Sequence, residues 1–302
     1  MNSRPKRDSP RLRRSAAGLS MLALAAAALY PAASQATVTF GSDLSLPPTS
    51  TSLNCVLSTP PCTHLGGGVH DGNAFPAESP VSGVVVSFGL KTGVLSGAND
   101  TVTFRLIRPD TEFGGAAVGV ATGPTVAVHE PGVYSFPANL PVKIGNSMGI
   151  DTTSTRAISD PDTPGACFEG SYFLTYHPVL ANGGPFQAPD SNSVCELLVN
   201  AVVEPSNAFR VANGKRNRKK GTAALLVDVA NPGKLTLAGR GVKAATKSVG
   251  AADLTTLLIR ATGKKKRRLN RTGKVKLTAK VTYRPMGGAP STQSRKLKLK
   301  KR

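Results

Sequence analysis

The sequence predicts an all-β protein of two consecutive β-sandwiches, and three observations carry that prediction. Apolar residues recur at period two instead of 3.6, and short clusters of Gly, Pro, Asn and Asp separate the runs. The charge then changes sign along the chain. Residues before Thr37 hold 6 basic and 1 acidic side chains, Thr37 to Ser206 hold 5 and 14, and Asn207 to Arg302 hold 27 and 2. The nets of +5, −9 and +25 make up the overall +21 and divide the chain into residues 1–36, 37–206 and 207–302.

The first segment has the pattern of a cleaved signal peptide. Arg4, Lys6, Arg7, Arg11, Arg13 and Arg14 precede an apolar stretch from Leu19 to Tyr30, too short for a membrane span. Small residues at Ser34 and Ala36 place the cleavage after Ala36. The expected mature chain starts at Thr37, has no transmembrane span, and is secreted or held noncovalently at the cell surface.

In the acidic segment, Val84, Val86, Phe88 and Leu90 alternate, as do Val102, Phe104 and Leu106 with Thr103 and Arg105 on the other side. Further runs are Thr125 to Val128, Val133 to Phe136, Val142 to Ile144, Met148 to Asp151, Tyr172 to Tyr176 and Val194 to Glu204. About eight strands in this length predict a jelly-roll-like sandwich. All four cysteines lie here, and an even number in an exported chain points to disulfides. Three pairings are open. Cys55 with Cys62 and Cys167 with Cys195 is favoured, because each bridge closes a segment rich in Pro, Ser, Thr or Gly where it replaces missing core. Metal binding is the alternative use, but no C-x-x-C spacing supports it, and no cofactor is expected.

The basic segment alternates more clearly. Ala223, Leu225, Val227 and Val229 precede an Asn231-Pro232-Gly233 turn, then Leu235 and Leu237. Val275, Leu277, Ala279, Val281 and Tyr283 alternate with Lys274, Lys276, Thr278, Lys280 and Thr282, and Leu297 and Leu299 with lysines. These are half-buried antiparallel strands with a lysine outer face, about seven of them, the size of an Ig-like sandwich. Lys264 to Arg271 is expected to add one helical turn at a corner.

The run Asn231-Pro232-Gly233-Lys234-Leu235-Thr236-Leu237, with Gly241-Val242-Lys243, Gly273-Lys274-Val275-Lys276-Leu277-Thr278 and Tyr283-Arg284-Pro285, resembles a lysine-rich Ig-like domain. Such domains end many exported proteins of high-GC soil actinobacteria, and the resemblance covers about the last third of the chain. It implies a surface location and a sandwich fold, and brings no activity and no catalytic residues.

Two dense basic runs are candidate polyanion contacts, Lys215, Arg216, Arg218, Lys219 and Lys220, and Lys264, Lys265, Lys266, Arg267 and Arg268. Such runs bind phosphates by releasing counterions. Export and the lack of interleaved aromatics turn the expectation from nucleic acid towards an anionic cell-wall polymer or glycan. Gly145-Asn146-Ser147-Met148-Gly149 matches the G-x-S-x-G string of α/β-hydrolases, but strand-like flanks predict a hairpin turn instead. His70-Asp71 sits among glycines and is expected in an exposed loop. Asp151, Asp160 and Asp162 form a candidate calcium cluster at a spacing that matches no known loop. Sugar platforms depend on tryptophan, and the chain has none. The expectation is a noncatalytic recognition or adhesion protein, tethered electrostatically; the alternative is a secreted hydrolase or glycan-binding protein with its site in the acidic segment.

Overall fold

The computed structural model describes residues 37–49, 53–55, 61–93, 101–110, 112, 114–155, 158, 167 and 170–302. The expected signal segment lies outside them. Strands are numbered in chain order.

In the acidic part, one sheet has the order β1 (Val38–Gly41), β12 (Val199–Pro205), β4 (Gly83–Thr92), β7 (Gly132–Val142). The facing sheet has the order β11 (Ser191–Ser193), β10 (Tyr172–Tyr176), β3 (Cys62–Gly68), β8 (Ser147–Thr152), β5 (Thr101–Pro109), β6 (Ala117–Ala127). A short pair, β2 (Leu53–Asn54) with β9 (Ser154–Thr155), completes it. Take the principal strands β1, β3 to β8 and β12 and count along the chain. They lie in the orders 1-8-3-6 and 2-7-4-5, the interlocked Greek keys of a jelly roll. The interior is filled by Phe40, Val85, Phe88, Leu90, Phe104 and Ile150, all fully buried, with Phe88 stacked on Phe104. Cys55 bonds Cys62 and Cys167 bonds Cys195, as the sequence favoured.

Four details differ from expectation. The run Val142 to Ile144 is the end of β7 and the turn after it, and the run from Val194 becomes strand only at Val199. On β4 the buried residue is Val85, and Val84 is exposed, because the register slips between Val85 and Ser87 opposite β7 and between Val202 and Val203 on β12. A bulge adds one residue and reverses which face follows it, so a strict period-two reading starts out of phase. The glycine-rich stretch is strand β3 where a loop was expected. The Tyr172 ring lies so close over Gly67 and Gly68 that a Cβ at either would fall within 3 Å of it. The aromatic ring covers a strand that lacks side chains of its own.

The basic part is a second sandwich. One sheet runs β13 (Phe209–Asn217), β14 (Thr222–Val229), β17 (Asp253–Ile259), and the other β16 (Ala245–Val249), β15 (Gly233–Ala238), β18 (Lys274–Pro285), β19 (Ser291–Lys300). Each predicted apolar face points inward, and Val227, Leu235, Ile259, Val281 and Tyr283 lie at its fully buried centre. The expected single turn is longer, a ten-residue helix, α1 (Gly263–Thr272). Its first turn carries cations and no acid, which the helix dipole disfavours. Burial of Leu269 and a left-handed Gly273 at the C-terminal end hold it in place.

The charge break falls in residues 206–208, between β12 and β13, yet the described residues belong to one compact unit. Asn231 joins the sandwiches. Its Oδ1 accepts from the Ser82 amide at 2.6 Å, and its Nδ2 donates to the carbonyls of Ser82 and Ser206, both at 2.9 Å. The Tyr283 hydroxyl donates to the Asn231 carbonyl at 2.8 Å. Asn231→Ala strips three side-chain bonds from part-buried backbone groups of Ser82 and Ser206, and we expect it to cost about 2 kcal/mol in urea unfolding. Limited proteolysis should then cut within 206–208. An unchanged midpoint and cutting pattern would show that the joint is held elsewhere.

Candidate polyanion-binding surface

Both basic runs lie at one end of the second sandwich, and the fold explains why. Lys215 and Arg216 end β13, and Arg218, Lys219 and Lys220 form the turn into β14, where Asn217 Oδ1 accepts from the Lys220 amide at 2.9 Å. The turn closes through Gly221 at φ +62°, where a Cβ would stand 2.9 Å from Leu269 on α1 and 3.2 Å from Lys301. That approach brings hairpin, helix and the chain's last residues together. The Arg302 amide donates to the Arg218 carbonyl at 3.0 Å, and the Lys301 amide to the Gly273 carbonyl at 2.8 Å.

Three open grooves follow. The first, about 1020 Å³, is lined by the hairpin cations with Arg260 and Arg302. The second, about 630 Å³, gathers Arg216, Arg240, Lys265, Lys276, Lys296 and Lys298 over a floor of Leu277 and Leu297. The third, about 640 Å³, holds Arg240, Lys264, Lys265 and Arg268. Arg216 lines both the first and second, and Arg240 and Lys265 both the second and third, so the grooves adjoin one another. No acid lines any of them. The only acids of this sandwich, Asp228 and Asp253, stand on β14 and β17 and line none of the three grooves. Such a field concentrates anions and releases their counterions on contact.

Lys266 and Arg267 are exposed on α1 but line none of these grooves. The sequence reading of runs missed Arg240, Arg260, Lys276, Lys296, Lys298 and Arg302, which come from separate strands and loops. For Lys276, Lys296 and Lys298 the available signal was the lysine alternation of β18 and β19; Arg240, Arg260 and Arg302 stand outside both runs and that alternation.

The catalytic-looking motifs are used otherwise. Ser147 opens β8 straight after a turn, is buried, and is followed by strand, so the G-x-S-x-G string forms no strand-to-helix elbow. His70 is not in an exposed loop. Its Nδ1 lies 2.7 Å from Oε2 of fully buried Glu196, which also accepts the His70 amide at 2.7 Å, while Asp71 is exposed. Asp43 stands 4.0 Å from His70 Nε2. Burial alone raises the Asp43 carboxyl, but hydrogen bonds from Ser45 and the Ala74 amide, with His70, outweigh it and leave it below its ordinary value. Asp151 is engaged by Arg105 and Thr63, and Asp160 and Asp162 lie outside the described residues. Cys55, Cys62 and His64 place potential metal-ligating atoms within 4.8 Å of one another, but both sulfurs are committed to the disulfide. Among the described residues no helix is long and apolar enough to cross a membrane. No protein-family model matches the sequence, and a search of curated proteins finds no match.

Proposed function

We propose that the chain is a noncatalytic secreted or cell-surface protein whose basic sandwich holds it to an anionic polymer, leaving the acidic sandwich to carry recognition. The observation that supports this best is the convergence of two sequence-distant basic runs, with cations from four further segments, on grooves that no acid lines. Two disulfides fit an oxidising, non-cytoplasmic compartment. In the basic sandwich the strand orders 1-2-5 and 4-3-6-7 support its reading as an Ig-like domain, with the fourth strand paired to the third. The acidic sandwich, net −9, should be repelled by the same polymer, so it would stand away from the surface that the basic end grips.

The test is retention of the chain from Thr37 onward on isolated cell walls across a salt series. Retention should weaken at least tenfold between 50 and about 200 mM salt, since several phosphate contacts each add to the salt slope. A variant with Lys215, Arg216, Arg218, Lys219, Lys220 and Lys264 to Arg268 changed to glutamine should bind more weakly and with a shallower slope. Retention indifferent to both salt and neutralisation would reduce the charge to a solvated surface.

A further inference from the structure

We infer that the polymer is read by the outward face of the four-stranded sheet, and that it is an extended phosphodiester chain of a three-carbon polyol lying along β18 and β19. This rests on the tethering proposed above and adds the surface and the ligand chemistry.

In the register of β18 with β19, Lys274 stands opposite Lys300 and Lys276 opposite Lys298. All four side chains are exposed. Like charges directly opposite one another on a sheet face destabilise it. On the other sheet the corresponding exposed pair is Arg210 opposite Asp228, which attracts. Like-charged pairs standing directly across two strands therefore mark the face that extends into the groove of Lys276, Lys296 and Lys298. An anion laid between the strands relieves their repulsion.

Lys296, Lys298 and Lys300 project to one side at every second residue of β19, and Lys274 and Lys276 do so on β18. Two residues are six backbone bonds, about 7 Å when extended. A three-carbon polyol phosphodiester also repeats after six bonds, through phosphorus, oxygen, three carbons and oxygen. An extended chain of that kind keeps step with the lysines. Between and beyond them Thr278, Thr282, Thr292 and Ser294 offer hydroxyls, and Thr282 and Thr292 already pair across the strands at 2.9 Å.

Single-stranded nucleic acid has a similar backbone repeat, and the lack of aromatics on this face separates the two ligands. Bases are held by stacking on aromatic side chains. The one aromatic of β18 and β19 is Tyr283, which points inward and is fully buried. The face has cations and hydroxyls for a backbone and no platform for a base.

The test uses the chain from Thr37 onward and fluorescent poly(glycerol phosphate) oligomers of defined length. Lys276→Gln with Lys298→Gln should weaken binding about tenfold at 50 mM salt, and Arg218→Gln with Lys219→Gln and Lys220→Gln about twofold. Affinity should climb through roughly the first four repeats and then level off, as the strand-length ladder fills. The Lys276→Gln, Lys298→Gln protein should melt no lower than the parent, because repulsion has been removed, and that result certifies its fold. Loss in the hairpin variant with none in the sheet variant would overturn this inference while leaving the tether intact. Binding that ignores both variants and salt would remove the tether itself. Equal or tighter binding of single-stranded DNA of the same charge would overturn the ligand class.

Discussion

Arg105→Ala is expected to destabilise the protein by about 3–5 kcal/mol, the cost of leaving one partner of a buried ion pair behind. Arg105 crosses the outer side of the six-stranded sheet and is only 4% exposed. Its Nη1 pairs with Asp151 Oδ2 at 2.5 Å, and its Nη2 donates to the Leu180 carbonyl and, at 2.9 Å, to Asn182 Oδ1. Asp151 Oδ1 accepts from Thr63, whose hydroxyl also accepts the Leu180 amide at 3.0 Å. One guanidinium thus fastens β3, β5 and β8 to the loop after β10. Gly119 on β6 makes room for it, since a Cβ there would stand 2.5 Å from Nη2. The loss should appear as a lower urea midpoint at unchanged slope. Arg105→Met with Asp151→Asn should recover part of it, because the stranded charge is gone. A loss below about 1 kcal/mol would mean that water reaches Asp151 and that the pair behaves like a surface one.

Arg105 also shows where sequence reading stops. Its alternation with Phe104 and Leu106 put it on the other side of β5, and it is there, but period two cannot say that a loop 75 residues away covers that side. Strands with one wet face were the most legible. Each of Val275, Leu277, Ala279, Val281 and Tyr283 is buried as the pattern requires, because lysines on the opposite face mark the phase. On β4 the consecutive Val84, Val85 and Val86 look alike in sequence, and the bulge that chooses between them is a property of its neighbours. β3 was hidden because CTHLGGG lacks the side chains that make alternation visible, and Tyr172 supplies the missing surface from β10. The cysteine pairs were legible since both bridges are local, with separations of 7 and 28. The basic runs could be seen as runs. That Arg216 and Lys265 line one groove depends on Gly221 closing the hairpin against α1, which charge counting does not contain.

His64 should make stability fall between about pH 6.5 and pH 4, by about 3 kcal/mol. Its side chain is fully buried, with Nδ1 3.0 Å from Thr175 Oγ1, Nε2 3.5 Å from the Cys62 sulfur, and Phe173 edge-on to the ring. Burial penalises the imidazolium and lowers the pKa from 6.5 to about 4. In the window between those values the unfolded chain takes up a proton that the folded chain refuses. Acid therefore favours unfolding. The contribution is complete above the unfolded value and drains away as the pH falls towards the folded one, below which both states carry the proton. Carboxylates titrate over part of the same range, so the contrast must be made against a variant that keeps them. His64→Gln retains hydrogen-bonding groups for Thr175 and cannot titrate. The bridged Cys62 sulfur, Thr175 and Phe173 do not titrate either, so the difference in unfolding free energy between parent and variant should isolate the imidazole. That difference should shift by about 3 kcal/mol against the parent between pH 7 and pH 4 and then stay level. Parallel curves for the two proteins would mean that His64 is protonated as readily in the folded protein as in the unfolded chain, and that the pocket between β3 and β10 admits water.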